Sequence, residues 1–531
     1  MKNLFCFALV LCIAAAFVLP ACAASGEASS EVKDALDISN AEWERRESSQ
    51  CGEFYALENQ VYVANPVDEE YQSLNIYVPA AYFEGGECCG YTAETAPVMV
   101  VINVGGYCGT TPNTIQGVAS AADASGEASG EASGETNGEA SGEAGASRET
   151  TSLADLMGGT DAASGSLARG YVVVIPGCRG RDTLNDDGSY NGKGAAGLVD
   201  CKAAIRFVRH NADVIPGDME KIIACGHSAG GALSLLLAVT GNVADYEPYL
   251  DEIGAAKERD DLFAATPSSP ITDLDHSDMA FEWMLPALDS FTELETALSE
   301  ALGEAYPAFV NSLELKDEQT GELLTLDGEY DGSYADYTLR CLSDSATTYL
   351  ADLSSDEREA YLAGKESWLL WDNQTMSATV TDIVAFGQYV SRMDGVPQFD
   401  AMGDGSTANW TFGAENEDSV HFTTYIADLL RELGYTEEAD SYGEVSPLVA
   451  EQVRLLSPYS FLSEGDTAQY IRIRIGTKDF FVPGVVSMNV AVAIMNRTDS
   501  EVDYAMLWDV GHDGDVGEET WFDYIESIAR D

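Results

Sequence analysis

The chain has 531 residues, 45% of them hydrophobic and 9% aromatic, and its 27 Lys and Arg against 90 Asp and Glu leave a net charge of −63. Such an apolar fraction supports a large buried core, and at about 100–200 residues per domain the length fits two to four domains or one enlarged fold with insertions. So acidic a surface is repelled by phosphate backbones and anionic lipid headgroups, which excludes nucleic acid as a partner.

In chain order, Met1-Lys2 is followed by an apolar run from Leu4 to Leu19 and by the small residues Ala21-Cys22-Ala23, so residues 1–23 read as an export signal. Pro20 and the small residues after it cut the segment short for a retained membrane anchor. Leu19-Pro20-Ala21-Cys22 resembles a lipobox, in which Cys22 would be lipidated, while Ala21-Cys22-Ala23 also fits ordinary signal peptidase. The protein is thus expected to be exported, secreted or lipid-tethered, and to touch a membrane only through such an N-terminal lipid. Cys6, Cys12 and Cys22 belong to this segment, and the remaining eight cysteines show no pairing of CxxC motifs that would suit a structural zinc. Cys88-Cys89 near Cys108 read equally as one disulfide or as free thiols.

Residues 24–69 read as a spacer and lead-in. From residue 70 onward, short β-rich runs alternate with helical patterns, which predicts a mainly parallel sheet with helices on both faces. The expected strands are 73–78, 98–104, 171–175, 221–225, 262–265, 470–475 and 504–508. Helices are expected at 194–211, 229–239 and 485–495, the second apolar nearly all round as in a buried helix. A Ser/Gly/Glu/Ala repeat within 119–150 has too little apolar area to offset its ordering entropy and reads as a disordered insertion. Residues 277–449 change to long, acidic, mostly helical stretches, read as a cap inserted between two parts of a core, 70–276 and 450–531.

Chemistry concentrates in residues 221–237. Gly226-His227-Ser228-Ala229-Gly230 follows an apolar strand and opens a buried helix, the context in which a tight strained turn lifts a serine hydroxyl to the rim of a sheet. A serine needs a base to take its proton. Of five histidines, His210 closes a surface helix, His227 is expected to point away from the serine, and His421 falls in the cap. His512, in a loop directly after the last expected strand, is preferred over His276 as the base. An acid should orient the imidazole from another strand end. Asp479 fits, with Asp273 and Asp275 as alternatives. The amides of Gly106, in the Gly-rich loop 103–109, and of Ala229 are the expected donors to a developing oxyanion.

These residues resemble the α/β-hydrolase esterases, through SLNIYVP at 73, INVGGY at 102, ARGYVVVIPGCRGRD at 168 and the long stretch from Gly197 through the elbow. The order Ser228, Asp479, His512 is the order of that fold. PITDLDHSDMAFEW at 270, VPQFDAM at 396, NWTFG and VHFTTY resemble bacterial tannase-like esterases, and the likeness extends over nearly all of the chain after residue 70 except the insertion. The resemblance implies a serine esterase acting on small-molecule esters of aromatic or other small acids, held between core and cap, with no cofactor or metal. In tannases of this type a Lys and a Glu from the cap and an Asp two residues beyond the acid hold the galloyl hydroxyls. Here those positions read Asp394, Ala408 and Phe481, which leaves galloyl preference doubtful and the acyl group open. Fungal tannases and feruloyl esterases carry Cys before both Ser and His, where this chain has His227 and Gly511. The rival readings are a serine peptidase on the same fold, and a non-catalytic surface protein that uses the fold for binding.

Overall fold

The apolar runs become the centre of a nine-stranded sheet in the computed structural model, which describes residues 35–115, 161–514 and 518–530 apart from positions 286, 329, 391, 404, 419 and 420. The export segment with Cys22 and the insertion at 119–150 lie outside the described residues. The sheet runs in the order β1-β2-β3-β5-β4-β6-β7-β12-β13. Its strands are β1 (Glu44–Ser48), β2 (Gly52–Val61), β3 (Ser73–Pro79), β4 (Val98–Ile102), β5 (Val172–Pro176), β6 (Ile222–His227), β7 (Ala264–Ser268), β12 (Tyr470–Gly476) and β13 (Glu501–Leu507). The intervening labels belong to two small ribbons, β8 (Leu369–Asp372) with β9 (Ser377–Val380) and β10 (Gly413–Ala414) with β11 (Glu417–Asp418).

Strands β5, β4, β6, β7, β12 and β13 pair in parallel, while β1, β2 and β3 add an antiparallel edge. Every residue of β3, β4, β5 and β7 is buried, which explains why β4 and β5 read as continuous apolar runs and not as alternations, while β3 and β7 also bury Ser73, Asn75, Thr266 and Ser268. By contrast β1 and β2 are polar and half-exposed, so residues 44–61, expected as lead-in, carried no such signal although they form two strands. β7 begins two residues later than expected and runs through Pro267, whose register partner is Gly226 of β6.

Helices flank the sheet. The helix Ala229–Val239 is buried at every position, against β6 and β7. Gly484–Arg497 leads from β12 to β13 and packs on both. Between β7 and β12 the chain is mostly helical, from Leu274–Met284 through Glu293–Ser312 and Ser333–Ala351 to Pro447–Leu455, with the two ribbons set among the helices. No helix among the described residues is long and apolar enough to cross a membrane.

Register places the functional loops. Ile102 at the end of β4 pairs with Gly226, so the loop after β4 lies beside the turn after β6. Gly476 at the end of β12 pairs with Leu507, which sets the loops after β12 and β13 side by side. All four leave the carboxyl ends of parallel strands, where α/β sheets form their binding crevices.

Candidate active site

The turn at Ser228 is strained in a way its neighbours enforce. Ser228 has φ 59° and ψ −123°, a left-handed φ that costs a non-glycine residue about 1–3 kcal/mol and persists only where the surroundings dictate it. A Cβ at Gly226 would lie 2.2 Å from the Gly230 carbonyl oxygen, and one at Gly230 would lie 2.3 Å from that of Ile102. Only glycine at both positions lets strand, turn and helix close this tightly. The Ser228 amide donates to the Ser268 carbonyl at 3.0 Å and the Gly230 amide to Val104 at 2.8 Å, tying the turn to its neighbours.

His512 Nε2 lies 3.0 Å from Ser228 Oγ, and His512 Nδ1 lies 2.7 Å from Asp479 Oδ2. Asp479 is 4% exposed, and its other oxygen accepts the Phe481 and Val482 amides at 3.0 and 3.1 Å, so the carboxylate has one orientation to offer the ring. The two loops meet because Gly476 has no side chain, a Cβ there lying 2.1 Å from the Gly511 carbonyl oxygen. The structure therefore brings Ser228, His512 and Asp479 together from across 284 positions of sequence.

Gly106 lines the same cavity as Ser228 and His512. Its φ of +53° turns the loop, and the carbonyl of the preceding peptide accepts the Cys108 amide at 3.0 Å, which fixes the plane of the Gly106 N–H. Ala229, fully buried, is the first residue of its helix, where an amide has no carbonyl of the same helix to bond.

The cavity holds about 440 Å³ and is walled by Ile271, Leu274, Phe399, Ala408, Trp410 and Phe481. Part of its polar lining is bonded within the protein. Ser406 Oγ bonds the Phe399 carbonyl, and Gln398 Nε2 lies 3.2 Å from the Met393 sulfur. Phe481 stands edge-on to His512 with ring centres 4.7 Å apart. Two larger hollows, about 590 and 800 Å³, touch none of the three aligned side chains.

One expectation needs correction. Asp394 does not line this cavity. It borders an adjoining shallow depression, while its neighbour Met393 and the nearby Gln398 take the wall. His227 does not line the cavity, and its ring is turned instead to the base loop, with Nε2 2.5 Å from the His512 carbonyl oxygen and the two rings 4.8 Å apart.

The alternatives to His512 are engaged elsewhere. His276 Nδ1 lies 2.8 Å from Asp273 and 3.4 Å from Asp275, and its ring stacks on Phe309 at 3.9 Å. Asp273 and Asp275 thus serve His276. Burial opposes the charge on this imidazole, but the two carboxylates raise its pKa to about 10. These three are the group among the described residues whose ligand atoms lie close enough for a metal, and the His276 nitrogen they converge on is already paired. His421 is buried against Asp400 at 3.0 Å, and His210 approaches Glu258. All eight described cysteines are free, with the Cys88 and Cys89 sulfurs 3.9 Å apart.

The chain is similar to known proteins at two scales. The BD-FAE family model matches residues 157–297, which include the strained serine. Carboxylesterase NlhH of Mycobacterium tuberculosis is 32% identical over 148 residues, 25% of this chain and 46% of the relative, so the chain spans about half the length of the curated relatives it matches. Over nearly the whole chain, the Fusobacterium nucleatum tannase structure superposes with a TM-score of 0.77 and 29% identity, covering 93% of this chain and 99% of that one. The chain has the α/β-hydrolase fold. A tannin acyl hydrolase solved in complex with ethyl gallate is similarly close to this α/β-hydrolase, with a TM-score of 0.75 and 29% identity over 93% of this chain and 98% of that one. Some wall residues of the α/β-hydrolase cavity were within reach of sequence reasoning, since Ile271, Leu274, Phe399 and Trp410 all lie in the tannase-like motifs. Thr407 and Met393 lie outside those motifs, and only the folded chain brings them to the cavity.

Proposed function

We propose that the protein hydrolyses carboxylic esters of small, mainly apolar acids through an acyl-enzyme on Ser228. The observation that carries this reading is the unbroken Ser228–His512–Asp479 hydrogen-bond chain opening into an apolar cavity. As Ser228 Oγ attacks the ester carbonyl carbon, His512 Nε2 takes its proton, and Asp479 stabilises the resulting imidazolium while holding its tautomer. Negative charge on the carbonyl oxygen is met by the Gly106 and Ala229 amides. The carbon–oxygen bond to the alcohol then breaks as His512 returns the proton to the leaving oxygen. Water, deprotonated by the same imidazole, attacks the acyl-enzyme, releases the acid and restores the serine.

The relative crystallised with ethyl gallate suggests an aromatic acyl group. Ala408 and Phe481 offer no hydrogen bond to ring hydroxyls, so an unsubstituted ring or short aliphatic chain fits this cavity better than a galloyl group. Residues 277–449 would act as the cap that closes over it. Residues 1–23 would direct export, with Cys22 lipidated in a tethered form. Hydrolysis of benzoic, cinnamic, gallic and short aliphatic esters, run beside peptide amides, tests the reading. Turnover of esters lacking ring hydroxyls is expected, and cleavage of amides alone would overturn it.

A further inference from the structure

Ser228 and His512 are joined twice. Their side chains meet at 3.0 Å, and one residue before the serine the His227 ring reaches the main chain of the base at 2.5 Å. A carbonyl oxygen only accepts, so His227 Nε2 must carry the proton in this bond. The start of the base loop is already tied to the acid loop, through the Lys478 amide to the Val510 carbonyl at 2.8 Å and the Asp509 amide to Thr477 Oγ1 at 2.9 Å. Those bonds fix His512 relative to Asp479, and sheet register sets the spacing of the strand ends. The His227 ring, at the end of β6, adds a direct tie from the nucleophile's own strand to the loop residue that bears the base.

We propose that His227 is a positioning residue, whose ring N–H holds the His512 loop at attacking distance from the nucleophile. This rests on the esterase reading above and deepens it. The groups facing the ring are His512, Asp479 and Asp513. Burial, and then the neighbouring His512, keep the His227 pKa below its ordinary value. The residue therefore donates a hydrogen bond without placing a second positive charge beside the imidazolium that forms at His512. Lysine or arginine here would hold the loop but oppose that imidazolium.

The test compares His227→Phe, which keeps bulk and loses the donor, with His227→Gln, whose amide nitrogen reaches about as far as Nε2. Misplacement of a reacting group on this scale costs about 10- to 100-fold, so the Phe variant should lose that much kcat on an aryl ester with KM within about twofold, and the Gln variant should stay within about threefold of native. The low-field ring proton shared by His512 and Asp479 should stay sharp in native and Gln proteins and broaden in the Phe variant. His227→Asn, too short to reach the carbonyl, replaces the Phe variant if that one does not fold. A Phe or Asn variant as fast as native, or a Gln variant as slow as Phe, would overturn the role of His227 alone. Native protein inert toward both esters and a fluorophosphonate would instead overturn the esterase reading itself.

Discussion

Around Ser228 the geometry is set by main chain, whereas the cavity wall opposite depends on two buried carboxylates. The serine, its flanking glycines and the loops bearing Asp479 and His512 stand at strand ends whose spacing is dictated by parallel register. On the other side, Asp278 accepts the amides of Gln398, Phe399 and Asp400 at 2.7–2.9 Å. Asp400 in turn gathers the Asn409 amide, the His421 ring, the Thr423 hydroxyl and the amides of Phe422 and Thr423. Both carboxylates are fully buried. One half of the site is thus part of the sheet, and the other is a set of short segments hung on polar hubs.

Substitutions can break each half separately. In the core, Ser228→Ala should lower turnover of a generic aryl ester on the order of 10⁶-fold and abolish fluorophosphonate labelling, with the fold intact by circular dichroism. Asp479→Asn should cost on the order of 10⁴-fold in kcat, because the imidazole then loses the partner that fixes its tautomer. An unchanged rate in either variant would show that the sheet-borne half has been misassigned.

In the wall, Asp400→Ala should destabilise the protein by about 3 kcal/mol, since several buried donors lose their acceptor, and urea unfolding measures this. Its loss of ester turnover should appear mainly in KM, unlike that of the core variants. Ala408→Glu should shift the ratio of kcat/KM for gallate over benzoate esters by about tenfold toward gallate while leaving Ser228 labelling intact. A shift in labelling without a shift in that ratio would erase the distinction between wall and core.

The smallest effect expected is on pH dependence. The His276 pKa is raised in the folded state to about 10, so its pairing with Asp273 and Asp275 contributes stability fully present below the unfolded value and lost as pH rises through about 10. The thermal midpoint should decline over that window, and less so in His276→Gln. Equal slopes in the two proteins would show that this pair does not steady the helix Leu274–Met284.

Legibility followed locality. The elbow was readable because Gly226, Ser228 and Gly230 act within five residues of one another. β4, β5 and the start of β6 were readable because burial on both faces leaves uninterrupted apolar runs. β1, the edge strand, was missed because an exposed edge permits polar residues that look like a linker, and β2 beside it mixes buried Phe54, Ala56 and Leu57 with exposed polar residues. The tannase-like motifs were visible as strings, but their physical reason was not. PITDLDHSDMAFEW holds Asp278 and Glu282, the latter pairing with Arg392, and VPQFDAM, NWTFG and VHFTTY converge on Asp400. Their resemblance marks the wiring of the wall more than the reacting groups. Asp394 was misplaced because the side a residue faces in an irregular segment follows from the path of the chain, which has no period to read.

By itself the amino-acid order determined the layered sheet, the strained serine and the short list of partners for it, because those follow from hydrophobic period, glycine spacing and the scarcity of histidine. Only the tertiary structure decided that His512 and not His276 faces Ser228, that His227 turns toward that base, and that Ala408 and Phe481 share one apolar wall. Each of these joins segments tens to hundreds of residues apart, and such distances are set by strand register and by buried polar hubs that leave no local pattern in the chain.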